Sequence, residues 1–276
     1  MAFYALHIAT TKTQRIEPLR LACKKLGIEF KALDPYSFDF SRPSPVKKRD
    51  IVYRTNRGKV LRFFEDYIVR PGAVTFYKNE LFHKPDPFML EKHKIPTPPT
   101  VFCLSNDHLE LLKYVKKLGG YPVILKALGG TRGMGVMKIE TESALFSIAD
   151  FLSAQQKLFV LKKFLPVKTS ARFIVLGNKV IASLEYVAKD RDFRTNSSKN
   201  LTVRPKKYAS SLEDLAVKAT EAYGWEFSGV DVLIHEEKPY VSEVNFPCNF
   251  MRAQEVCQQD IALQMVQYLY EKSRKL

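Results

Sequence analysis

Cysteine is scarce in this chain of 276 residues: there are four, Cys23, Cys103, Cys248 and Cys257, and none stands in a Cys-x-x-Cys pair. That spacing leaves no thiolate zinc site, and the plain reading is a reduced, cytosolic protein. No stretch reaches the roughly 18 consecutive apolar residues that a membrane-spanning helix needs, so no membrane is expected among the partners. The opening run Ala2–Ala9 has no basic region ahead of it, and no signal peptide is expected. Nucleotide fingerprints are missing too. The first strand-like run leads into Thr10-Thr11-Lys12-Thr13 rather than G-x-G-x-x-G, which argues against a nicotinamide dehydrogenase, and no Gly-Lys-Ser/Thr closes a Walker loop. Neither a Ser-His-Asp nor a Cys-His arrangement is evident, and internal repeats and low-complexity tracts are absent.

Acidic residues are in the minority. Against 44 Lys and Arg stand 29 Asp and Glu, a formal charge of +15, which predicts anionic partners: nucleic acid, an anionic surface, or phosphorylated and carboxylated molecules. The basic residues come in short pairs such as Lys116-Lys117, Lys162-Lys163 and Lys206-Lys207, each of which reads as a solvated face. With no RNP-type aromatic motif, no Cys/His finger and no dense basic helix, nucleic acid is the weaker reading. What is present in quantity is apolar: 46% of residues, with 12% aromatic, enough to bury a sizeable core and to exclude disorder as the main state.

The N-terminal stretch has a βαβ rhythm: a strand over 3–8, a helix over 16–26 ended by Gly27, a strand over 29–33, and a return to the sheet at 51–53. A parallel layer is expected from it. Prolines 85, 87, 96, 98 and 99 mark a boundary near residue 82. Beyond them the pattern predicts helices over 88–94, 107–118 and 143–151 and strands over 122–127, 136–140 and 159–164. A second half follows, with strands over 172–176 and 180–187, a helix over 212–223, a hairpin around 235–239 and a closing helix over 260–272.

Three segments carry chemistry. Gly129-Gly130-Thr131-Arg132-Gly133-Met134-Gly135 has four glycines in seven positions between two strand-like runs; it reads as a flap whose backbone N–H groups can approach phosphate, with Lys126 at the strand end beside it. In the hairpin from Gly229 to Asn245, a turn centred on Glu237 sets Asp231 opposite Glu243, with Asn245 on the same face. Opposed carboxylates repel unless a cation lies between them, and two carboxylates with an amide oxygen form a hard set suited to Mg²⁺. Finally, the charged loop from Ala188 to Asn196 offers Arg194 and Asn196, and Arg172 could join them on a carboxylate or phosphate.

In order and spacing these motifs resemble the ATP-grasp superfamily, and within it the RimK-like carboxylate–amine ligases: Leu33-Asp34-Pro35, 122–126 with the flap, Asp192 to Asn196, Gly229-Val230-Asp231, Glu243-Val244-Asn245 and Asp260-Ile261-Ala262. The resemblance implies an α/β (α+β) ATP-grasp fold, divided into an N-terminal layer (1–82), a subdomain with the flap (83–157) and a subdomain with the metal site (158–276). It implies that Lys84 and Lys126 hold ATP phosphates under the flap residues Gly130, Thr131, Arg132, Gly133 and Gly135. Lys163, Phe164 and Leu165 would meet the adenine, and Asp231, Glu243 and Asn245 would hold two Mg²⁺ ions, or Mn²⁺. Arg172, Arg194 and Asn196 would bind an acyl phosphate or substrate carboxylate. The implied reaction is ADP-forming amide synthesis joining an amino acid, glutamate for instance, to a carboxylate on a peptide, protein tail or small metabolite, in a homo-oligomer. The chain departs from the pattern at Lys162 and Lys163, where an acid usually precedes the hinge aromatic, at Ser170, and at Phe246-Pro247-Cys248-Asn249. Cys248 reads as a buried thiol. Two alternatives stay open: a degenerate ATP-grasp protein that binds nucleotide or an acidic partner without chemistry, and a basic nucleic-acid-binding protein.

Overall fold

The computed structural model describes residues 1–9, 16–78, 88–128, 135–188, 193 and 202–276. Strand β1 (Ala2–Leu6) is buried along its whole length, as its unbroken apolar run requires of a strand covered on both faces. Helix α1 (Ile16–Lys25) ends where Gly27 takes a φ of 66°, and β2 (Glu29–Leu33) and β3 (Ile51–Arg54) flank β1 in a parallel sheet of order β2-β1-β3. A helix that the βαβ reading passed over, α2 (Lys59–Ile68), covers this layer. Its buried residues Leu61, Phe64, Glu65 and Ile68 recur at helical spacing, so the signal was in the sequence.

After the short α3 (Met89–Lys92) comes a four-stranded antiparallel sheet of order β4-β7-β5-β6: β4 (Thr100–Cys103), β5 (Val123–Ala127), β6 (Val136–Ile139) and β7 (Phe159–Lys163). Helices α4 (His108–Lys117) and α5 (Glu142–Ala154) back it, their first turns capped by Asp107 and Thr141. Because β7 is hydrogen-bonded between β4 and β5, the division at 157/158 would cut through this sheet, and we propose to place it after Lys163. β4 itself, hidden behind three prolines, was not expected.

The third sheet runs β10-β9-β8-β11-β12: β8 (Thr169–Leu176), β9 (Lys179–Val187), β10 (Thr202–Pro205), β11 (Phe227–His235) and β12 (Lys238–Asn245), with α6 (Ser210–Ala222), α7 (Met251–Cys257) and α8 (Ile261–Arg274). Its core is continuous with that of the N-terminal layer: Phe3, Leu19, Tyr53 and Phe76 pack in one cluster with Trp225, Phe227, Phe250 and Leu269. The middle sheet has its own core, drawn from residues between Cys103 and Leu161. Among the described residues no helix is long and apolar enough to cross a membrane.

Candidate active site

The hairpin β11–β12 sets the site. Its turn is two residues long, Glu236 and Glu237, both at positive φ (48° and 63°), the backbone that matches strand twist in a tight hairpin. This corrects the turn centred on Glu237. His235 pairs with Lys238, and that register would bring Asp231 against Ser242. A bulge between Asp231 and Val232 inserts one residue, so Asp231 faces Glu243 and Gly229 faces Asn245. The Ser242 hydroxyl fills the gap by donating to the Asp231 carbonyl at 3.1 Å. The expected opposition of carboxylates is therefore present, through a turn and a bulge that offset each other.

Asp231 is 3% exposed, so it is not a solvated acid, while the Glu243 side chain opposite keeps 36% exposure. Arg172, directly across on β8, donates through Nη1 to its Oδ1 at 3.2 Å, and Asn245 Nδ2 donates to Oδ2 at 3.2 Å. A methyl group at Gly229 would lie 2.7 Å from Arg172 Nη2 and 3.0 Å from Cys248 Cβ; glycine there is what lets the guanidinium lie flat on the sheet. Burial works against the Arg172 charge, but Asp231, together with Tyr186, Cys248 and Glu243, outweighs it and the pKa rises. Its Nε is buried and, among the described residues, has no partner. Arg172, expected on substrate or acyl phosphate, engages Asp231 through Nη1.

Glu243 receives Arg57, which sequence reasoning missed. Arg57 Nη1 lies 3.4 Å from Glu243 Oε1 and its Nε 3.4 Å from the Pro247 carbonyl. The N-terminal layer delivers it from a rigid base: the neighbouring Arg54 is buried against Glu65 at 2.8 Å, with the Tyr77 hydroxyl donating to the same carboxylate. Burial would raise the Glu243 carboxyl, yet Lys126, Arg57 and Arg172 together hold it below the usual range. Tyr186, whose phenol is pushed up mainly by burial, lies within electrostatic reach of the Arg172–Asp231 pair and also of Arg252; neither Tyr186 nor Arg252 stood out in the sequence.

The middle sheet turns its other face to these acids. Helices cover Val123, Leu125 and Ala127, so Ile124 and Lys126 fall on the opposite, half-open face. The register puts Lys162 beside Ile124 and Val160 beside Lys126, and Lys138 and Val136 continue the same two rows on β6. The face is thus an apolar strip studded with lysines. At the hinge, the Lys163 N–H donates to the Pro99 carbonyl at 2.9 Å. Lys138 Nζ sits 5.0 Å from the Phe164 ring centre. Gly135 closes the flap, its carbonyl accepting from Ala127 N at 2.8 Å. Lys84, Gly130, Thr131, Arg132, Gly133, Arg194 and Asn196 lie outside the described residues.

Among the described residues no three His, Cys, Asp or Glu side chains form a metal cluster. Two carboxylates and one amide suit instead an ion that completes its shell with water and phosphate, provided Asn245 turns its amide oxygen inward. All four cysteines are free. Burial pushes the Cys23 and Cys103 thiols up to about 12 and 11, so neither is a nucleophile.

A RimK-like ATP-grasp domain matches residues 87–269. "Probable alpha-L-glutamate ligase" of Cellvibrio japonicus is 31% identical over 189 residues, which cover 67% of this chain and 62% of that protein. The chain thus spans less than two thirds of that relative. A protein of the same name from Hydrogenovibrio crunogenus is 29% identical over 249 residues, 79% of this chain and 80% of the relative. Among solved structures, the ATP-grasp ligase PsnB complexed with a minimal precursor superposes with a TM-score of 0.75 at 16% identity, covering 98% of both chains. A RimK domain ATP-grasp protein from Sphaerobacter thermophilus gives 0.74 at 18% identity, covering 97% of this chain and 99% of that one. At such identities these two structures speak for the fold alone.

Proposed function

Since the chain belongs to the RimK-like ATP-grasp family, we propose that it is an ADP-forming ligase that uses ATP and Mg²⁺ to join an amino acid, glutamate by analogy with the relatives' names, to a carboxylate acceptor. The observation that carries this reading is the opposed pair Asp231 and Glu243, the first receiving Arg172 and the second held below the usual carboxylate range by Lys126 and Arg57.

Lys126 holds nucleotide phosphate, with Lys84 and the flap beside it. Asp231, Glu243 and Asn245 would hold the Mg²⁺, which supplies charge neutralisation at the transferring phosphoryl group. Arg172, with Arg194 and Asn196, orients the attacking substrate carboxylate. That oxygen displaces ADP from the γ-phosphate to give an acyl phosphate; the amine then attacks the acyl carbon and inorganic phosphate leaves. No side-chain nucleophile takes part, and positioning and electrostatics do the catalysis. The charge of +15 favours an acidic acceptor, a peptide or protein tail carrying several carboxylates.

The test is ADP release and amide formation, followed by mass spectrometry, with Mg-ATP, glutamate and pooled acidic peptides. Glutamate-dependent mass increments that vanish in Asp231→Asn support the reading. No nucleotide-dependent turnover with any acid–amine pair, together with unaltered ATP binding in Asp231→Ala and Glu243→Ala, would overturn it.

A further inference from the structure

Lys162 is a charged residue in a place that the local packing does not explain. It lies mid-sheet on β7, between Thr100 on β4 and Ile124 on β5, where an apolar side chain would suit the strip formed by Ile124, Val160 and Val136. Two residues along β5 from Ile124 stands Lys126, so the two ammonium groups lie diagonally on one face. Like charges so placed repel, and each loses hydration to the walls around it. Desolvation, then the charge of Lys126, pulls the Lys162 ammonium down to about 8, while Glu243 across the cleft pulls the other way. Among the described residues neither Lys126 nor Lys162 has a hydrogen-bond acceptor or an ion-pair partner, whereas Lys138 on the same face is engaged by Glu140 at 2.5 Å.

Two uncompensated lysines on one sheet face call for a ligand with more than one negative charge. Lys162 lies diagonal to the proposed phosphate lysine Lys126 on one sheet face and within electrostatic reach of the proposed metal carboxylate Glu243. A phosphate chain held by Lys126 therefore runs over the face that Lys162 shares. We propose that Lys162 is a further cation of the nucleotide site, binding the phosphate chain; this rests on the nucleotide-binding reading above. The cost of partly desolvating an unpaired ammonium in the ligand-free protein is then the counterpart of tighter binding to a polyanion.

The experiment measures calorimetric affinities of wild type, Lys162→Met, Lys162→Arg and Lys126→Met for ATP, ADP and adenosine with Mg²⁺, alongside Tm with and without nucleotide. Lys162→Met is expected to weaken ATP and ADP five- to thirtyfold and leave adenosine within twofold. Its ligand-free Tm should be equal to or above that of the wild type, and Lys162→Arg should retain most of the affinity. ATP affinity of Lys162→Met within twofold of wild type, or an equal loss for adenosine and ATP, overturns the proposal. If Lys126→Met loses ATP while Lys162→Met does not, this inference alone falls. Absence of Mg-ATP binding to the wild type would overturn the nucleotide reading and this inference with it.

Discussion

The two antiparallel sheets that face each other across the cleft handle charge in opposite ways. On the five-stranded sheet every acid of the site is matched: Asp231 by Arg172 and Asn245, Glu243 by Arg57. On the four-stranded sheet Lys126 and Lys162 stand diagonally on one face without acceptors among the described residues, and desolvation with the neighbouring charge lowers the Lys162 pKa. On the first sheet the two carboxylates are already held by cations and an amide of the protein itself. The second carries unmatched like charge. On the proposed function, the matched side is where a metal and a reacting carboxylate would be aligned, and the unmatched side is where affinity for a phosphate chain would arise.

Breaking the matched side should have the largest effect. Asp231→Ala removes the partner of a buried arginine, and the orphaned charge is expected to cost about 3–5 kcal/mol of stability, read as a fall in the urea midpoint. The milder Asp231→Asn should keep the fold and lower kcat for ligation by at least roughly a hundredfold. Next comes Gly229→Ala. Its methyl would meet Arg172 Nη2 at 2.7 Å, so the guanidinium must leave the sheet; a loss of about 1–3 kcal/mol and a markedly lower kcat with little change in ATP affinity are expected.

Relieving the unmatched side should do the reverse to stability. The Lys162 pKa in the folded state, about 8, lies below its unfolded value of about 10.4. The folded protein therefore binds fewer protons between those limits. Its penalty is fully present below pH 8 and fades as pH rises toward 10.4. Lys162→Met should stabilise the ligand-free protein near pH 7 by roughly 1–3 kcal/mol and flatten the alkaline rise of stability. A Met variant that is less stable than the wild type at pH 7 would contradict the contrast between the sheets. The smallest effect is expected at Arg57, which is 38% exposed in its ion pair, where screening leaves little net stabilisation. Arg57→Gln should barely move Tm. Because Arg57 helps hold Glu243 below the usual carboxylate range, its loss raises that pKa, and the acid limb of the pH–activity profile should shift to higher pH.

Much of this arrangement was legible in the amino-acid sequence, for local reasons. The βαβ start, the antiparallel strands on either side of the glycine run and the carboxylates of β11 and β12 each show within some twenty residues, where period and turn chemistry act. The Asp231–Glu243 opposition was reached from a turn that the protein does not use, since a tight turn and a bulge at Ser242 compensate for each other. A bulge leaves no clear mark in a run of alternating residues. Arg57 could not be found this way, because 186 positions separate it from Glu243 and only the packing of the N-terminal layer joins them. Lys162 was visible but read as half of a solvated pair. Strand order, which sets β7 between β4 and β5, is what turns it inward.

The separation of hydrophobic cores described above has a thermal corollary. The N-terminal layer and the five-stranded sheet share one cluster, whereas the middle sheet packs on its own helices. Without ligand, each core can melt on its own schedule, and heating should reveal two overlapping calorimetric transitions. A molecule bound between Lys126 and Glu243 ties the smaller unit to the larger, so saturation should merge the two transitions into one. Cooperativity in this protein would then be a property that the nucleotide confers, and the sharpness of the melt would report on it independently of turnover.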